Sequence, residues 1–178
     1  MQTTVRIGHW IQTYSGKKFD FLYPDLSSIC IEDIAHALSN ICRYTGHVGE
    51  FYSVAQHSVI ASHIVPKEDA LTALLHDATE AYLTDISKPL KQLLPEYVKI
   101  EDSIWLRIAE KFNLPATLPK SVKDADMILL ATEKRDLLGE GPEEWEIIRN
   151  IRCIESEIIP VPPKTAEKLF LERISRIM

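Results

Sequence analysis

The stretch LLHDATEAYLTD, positions 74 to 85, holds His76, Asp77, Glu80 and Asp85 directly behind Leu74 and Leu75. Leucines seek burial, and a charge buried beside them is costly unless it is paired or bound. His76 and Glu80 are four residues apart, so they share one face of the helix predicted here, with Asp77 one step round. Two more candidates stand at similar core edges. His57 lies one turn into a segment otherwise filled by Val54, Val59, Ile60 and Ala61, and Asp126 lies one turn into KDADMILLA. Taken singly, His57 has the setting of a satisfied core histidine, and Asp126 that of a first-turn acid facing the helix dipole. Taken together they form a set of two imidazoles and two carboxylates. Such a set suits Zn, Co, Mn or Fe, and suits Ca or Mg poorly because those ions take oxygen ligands. A metal would neutralise the aspartates and lower the pKa of water, providing a nucleophile for hydrolysis. His36, His47 and His63 have no comparable acids around them and are read as structural or surface residues.

These residues need helices to hold them, and the chain predicts helices. Ile31, Ile34, Ala35, Leu38, Ile41 and Cys42 recur at spacings of three and four, with Gly46 as the stop. Ser53 and Gln56 stand in capping-box relation before the helix of His57, which Pro66 ends. The third helix spans roughly 68 to 83 by its pattern and carries the opening motif. Pro89 and Pro95 occupy first-turn positions, the second at the head of a long helix with Val98, Ile104, Ile108, Ala109 and Phe112 inward. Ser121 with Asp124 predicts a cap for the helix of Asp126, with Gly139 beyond its end. A short helix is expected around Trp145 to Ile151, and Thr165 is expected to cap the last one. Before all of these, WIQTYSGKKFDFL reads as a β-hairpin around a Ser-Gly turn. The expected fold is therefore all-α with a small N-terminal hairpin, in one domain over 1–178, residues 1–25 being hairpin and lead-in.

Bulk properties narrow the function. The chain has 178 residues, 46% hydrophobic and 26% charged, enough for one sizeable core. A net charge of −6 argues against stable nucleic-acid binding, and an anionic substrate would need local cations. No apolar run approaches a membrane span, and the first residues lack the apolar core of a signal peptide. Cys30, Cys42 and Cys153 are few, odd in number and far apart, which predicts free thiols and a cytoplasmic location.

His57, the His76-Asp77 pair and Asp126 match the H…HD…D pattern of the HD-domain phosphohydrolase superfamily. LLHDATEAYLTDISKPLKQLLPEY and VKDADMILLATEKRDLL resemble the branch containing bacterial 5′-deoxynucleotidases, prophage homologues and phage dATP triphosphohydrolases. FDFLYPD, IEDIAHALSNICRYTGH and FYSVAQHS resemble the prophage type, so the likeness covers nearly the whole chain. The resemblance implies an HD-domain helical bundle with His57, His76, Asp77 and Asp126 as metal ligands. It implies that Glu80 positions or deprotonates the attacking water and that Asp85 contacts the sugar hydroxyl. Arg43 and Lys91 would face phosphate, Tyr44 the nucleoside, and Pro89 the same pocket. EKRDLLGE, by its own composition, reads as a solvated helix end, and GPEEWEII carries no readable chemistry.

The implied function is hydrolysis at the 5′-phosphate of deoxynucleotides, either monophosphates or triphosphates. A triphosphate would call for further positive charge, including a second divalent ion. The alternative is a non-catalytic prophage-type module, stabilised by its metal and regulating a replication partner. Relatives form dimers or larger rings, so a homo-oligomer is expected by the same resemblance.

Overall fold

A computed structural model describes residues 8–178; residues 1–7 of the expected lead-in lie outside the described residues. The predicted hairpin forms, with β1 (Trp10–Gln12) antiparallel to β2 (Lys18–Asp20) and Ile11 opposite Phe19. Its turn needs one left-handed residue, and Gly16 supplies it at φ +82°. The hairpin is then fixed to the helical body. Ser15 donates from its backbone N–H and its hydroxyl to the carboxylate of Asp33, at 2.6 and 2.9 Å.

The first helix, α1 (Ile31–Asn40), buries Ile34, Ala35 and Leu38 as its periodicity requires. It stops at Asn40 rather than at Gly46, because Ile41 turns extended and Cys42 pairs with Ser53 in an antiparallel bridge. A 3-10 turn over Arg43–Gly46 follows, with Tyr44 and Thr45 both left-handed, at φ 57° and 55°. The second helix, α2 (Val54–Ile64), starts at the predicted cap: Ser53 Oγ accepts from the N–H of Gln56 at 3.1 Å. The Gln56 side chain does not return to the cap. It donates to the carbonyl of Ile159 and accepts from the N–H of Val161, clamping a distant loop.

The predicted third helix is broken. It divides into α3 (Ala70–Leu75) and α4 (Glu80–Leu83), joined through His76 to Thr79. The join is wound tightly, with Ala78 N–H on the Leu75 carbonyl and Glu80 N–H on that of Asp77. At three residues per turn, positions i and i+3 eclipse. Asp77, three residues before Glu80, is among the charges that act on it. Pro89 and Pro95 sit in first turns as predicted, opening α5 (Lys88–Lys91) and α6 (Pro95–Phe112). The inward stripe of α6 is Ile104, Ile108 and Ala109, with Val98 and Phe112 half-buried.

Two predicted caps are corrected. The helix of Asp126, α7 (Lys120–Asp136), starts behind Pro119, so Ser121 is already inside it and donates to Asp69. Asp124 pairs instead with Lys120 across one turn. The last helix, α8 (Pro163–Ile177), starts on Pro163, which leaves Thr165 within its first turn. Around Trp145 the chain makes a 3-10 turn, Glu146–Ile148, in place of a helix.

Helix α2 touches α1, α3, α7 and α8, and its residues are buried nearly all round, as a central helix demands. The core joins Phe19 of the hairpin to Leu38, Val54, Leu74, Leu75, Ile104, Ile108 and Phe170. The architecture is mostly helical with one two-stranded hairpin. The three cysteines are free, and among the described residues no helix is long and apolar enough to cross a membrane.

Candidate metal centre

The bridge between Cys42 and Ser53 is extended by two further backbone bonds, Arg43 N–H to Tyr52 O at 2.9 Å and Val54 N–H to Ile41 O at 3.1 Å. This short ladder fixes Arg43 against the start of α2, and His57 follows one turn later with no exposure at all. His76 closes α3, and α7 brings Asp126 from the other side. The sequence-predicted residues His57, His76 and Asp126 are thus brought together, with ligand atoms all within 4.8 Å of one another.

The ring nitrogens say what such a group can hold. His57 Nδ1 lies 2.6 Å from a carboxylate oxygen of Glu133, and His76 Nδ1 lies 2.7 Å from the carbonyl of Ala73. Carbonyl and carboxylate oxygens only accept, so both Nδ1 atoms carry the proton and donate it. The two Nε2 atoms are left facing each other at 3.3 Å. Asp77 Oδ2 lies 3.6 and 3.4 Å from these nitrogens, and Asp126 Oδ1 lies 3.4 and 4.0 Å from them. Donors about 2.0–2.2 Å from a shared ion lie no more than about 4.4 Å apart. The donor set and its spacing fit a transition-metal ion.

Charge leads to the same place. Asp77, Glu80, Asp85, Asp126 and Glu133 outnumber the cations among them, Arg43 and Lys91. Burial and the Arg43 charge push the His57 imidazole down, yet Glu133 and Asp126 outweigh them and raise it to about 9. Burial pushes the Glu133 carboxyl up, but Arg43, His57 and Tyr44 hold it at about 2. The surroundings favour positive charge where the two Nε2 atoms meet.

Glu80 is 5% exposed, and one of its oxygens, Oε2, has no hydrogen-bond partner among the described residues. Burial first, then the charges of Asp77 and Asp85, push its carboxyl well above the usual range, against Lys91 and Arg43. Asp85 is half-buried and raised by its burial, feeling Arg43, Asp77, Lys91 and His57 in turn. Thr84, directly before it, is a β-branched residue at φ 72° and ψ 161°, a region suited to glycine.

The residues assigned to substrate are less free than the resemblance implies. Arg43 is buried and shared between Glu133 at 3.2 Å and Asp77 at 3.4 Å. Lys91 donates to Glu101 at 2.7 Å and stands 3.6 Å from Glu80. Tyr44 donates its hydroxyl to Glu133 at 2.5 Å, while its ring stands 6.4 Å from that of Trp145. Pro89 is exposed on α5. Glu133 itself corrects the reading of EKRDLLGE as a solvated end, for it is completely buried and bonded to His57, Arg43 and Tyr44. The available signal was its place two turns beyond Asp126, beside the buried Leu129 and Thr132.

No family model matches this chain. It is similar to the uncharacterized protein YfdR of Escherichia coli (strain K12), 47% identical over 167 residues that cover 93% of this chain and 94% of that one. It is also similar to an uncharacterized protein of Rhodobacter capsulatus, 34% identical over 153 residues, covering 78% of each.

Proposed function

We propose a function on the premise that the chain belongs to the same family as YfdR of Escherichia coli: it is an HD-domain phosphohydrolase, metal-dependent, acting at the 5′-phosphate of deoxynucleotides. The observation that carries this reading is the pair of Nε2 atoms of His57 and His76, 3.3 Å apart with both Nδ1 atoms engaged elsewhere, beside Asp77 and Asp126. Those four side chains would hold the ion. When bound, a divalent ion supplies Lewis acidity, making water a stronger acid near neutral pH and polarising a phosphoryl oxygen.

The chain's own residues do the rest. Glu80 Oε2, buried and unpartnered among the described residues, accepts a proton from the attacking water as its oxygen bonds to phosphorus. The bond from phosphorus to the 5′-oxygen breaks and that oxygen takes up the proton Glu80 had accepted, releasing the deoxynucleoside with phosphate, or with triphosphate when the substrate is a dNTP. Arg43 faces the developing charge on the phosphoryl oxygens, with Lys91 behind Glu80. Asp85 accepts from the 3′-hydroxyl, and a 2′-hydroxyl beside it is left crowded or unpaired.

A second reading has one observation in its favour. Arg43 and Lys91 are both tied to carboxylates, as in a module whose metal only holds α2, α3 and α7 together. The orphaned oxygen of Glu80 favours the enzyme, since a staple has no use for it. A panel of the four deoxynucleotides as mono- and triphosphates, with ribose controls and products resolved, separates the two. Free phosphate from monophosphates identifies a 5′-deoxynucleotidase, and intact triphosphate from dATP a triphosphohydrolase. No hydrolysis with Mn, Co or Zn supplied leaves the module reading in its place.

A further inference from the structure

Glu133 is a buried carboxylate bonded to His57, Arg43 and Tyr44. Its Oε1 takes the Nδ1 proton of His57 at 2.6 Å. Its Oε2 takes the Tyr44 hydroxyl at 2.5 Å and the Arg43 Nε–H at 3.2 Å. A charge buried this completely is costly when unpaired, and here both oxygens are satisfied by three donors from two different elements.

We infer that Glu133 is the positioning residue of the metal centre, setting its affinity for the ion through His57 directly and through Arg43 onto Asp77. The inference rests on the metal reading of the site given above. By holding the His57 proton on Nδ1, Glu133 keeps the Nε2 lone pair turned towards His76 and Asp126, and makes that nitrogen a better donor. By holding Arg43 at Nε, it aims the rigid guanidinium so that Nη1 reaches Asp77 Oδ2 at 3.4 Å. One side chain therefore orients two ligands. Tyr44 and Thr45 adopt left-handed backbone without being glycine, and this turn brings the Tyr44 hydroxyl onto the carboxylate next to the arginine that precedes it.

The test is Glu133→Gln, which keeps the size and loses the charge. Zinc affinity is measured by competition with a chelating dye on the full chain, and the cobalt form is followed by its visible spectrum. The expected result is a 10- to 100-fold weaker zinc affinity, on the order found when the partner of a ligating histidine is removed, with an altered cobalt spectrum. Zinc affinity within twofold of wild type, whatever the melting temperature does, overturns the proposal. If the variant does not fold, nitrogen NMR on zinc-loaded wild type decides. A His57 proton on Nδ1 supports the assignment, and its absence there overturns it. A wild-type chain that binds no zinc is seen in the first titration and removes the metal reading itself, so the two failures stay distinct.

Discussion

Asp126 and Glu133 stand seven residues apart on α7, and both address His57, one at each ring nitrogen. Asp126 faces Nε2 at 3.4 Å with 46% of its side chain exposed, while Glu133 faces Nδ1 at 2.6 Å with none. The chemical group is the same, and the surroundings divide the labour. The half-exposed carboxylate lies where solvent can arrive. The enclosed one has all its partners within the protein and can only hold them still. Within two turns of one helix, an open end and a closed end meet at a single imidazole.

The largest effect is expected at the open end. Asp126→Ala, like His76→Ala, removes a proposed ligand, and retained metal should fall from about one transition-metal ion per chain to none by elemental analysis. With metal 1,000-fold above its Kd, the loss is about 4 kcal/mol of stability, read as a melting temperature that no longer responds to added zinc. Full occupancy in the Asp126 variant would make that carboxylate a bystander. Next comes Glu80→Ala, for which activity should drop ~10²-fold or more while metal content and melting temperature stay unchanged. Full activity would remove its role and leave the centre intact. The closed end follows, with the weaker zinc binding expected of Glu133→Gln. Asp85→Ala should mainly relax the preference for dAMP over AMP; a wild type that already treats them equally ends the role of Asp85. The smallest effect belongs to a third acid on α7. Asp124 is exposed and, among the described residues, paired only with Lys120, so Asp124→Ala should move stability by roughly 0.5 kcal/mol or less and leave zinc binding alone.

How far the sequence shows these two ends differs sharply. Asp126, His57 and His76 are legible because acids and imidazoles beside apolar residues are chemically unusual, and their helices follow from simple periodicity. Glu133 sits in a run of charges that resembles any solvated helix end, and its partners Arg43 and His57 are 90 and 76 residues away. Burial created by such distant contacts leaves only a faint local trace, here the place of Glu133 one turn beyond the buried Leu129. The break between α3 and α4 is hidden for a related reason, since HDAT contains no proline or glycine to announce it. The starts of α7 and α8 differ from the expected caps because Ser121 and Thr165 are good capping types standing just inside helices that a proline precedes or opens.

Helix α8 packs on α1, α2 and α3 through Ala166, Phe170 and Ile174, and Arg173 donates to the carbonyl of Ser62 at 2.7 Å. It is also made after α7. At about 5–20 residues per second, some 3–10 seconds of translation separate Asp126 from Ile177. Throughout that interval His57, His76, Asp77 and Asp126 exist on a chain whose central helix still lacks one of its covering faces. The tautomers of His57 and His76 rest on Glu133 and the Ala73 carbonyl, while the faces of α1, α2 and α3 that α8 covers stay open until it docks. A growing chain offers loose imidazoles to any metal nearby, whereas the folded one holds the two Nε2 atoms face to face.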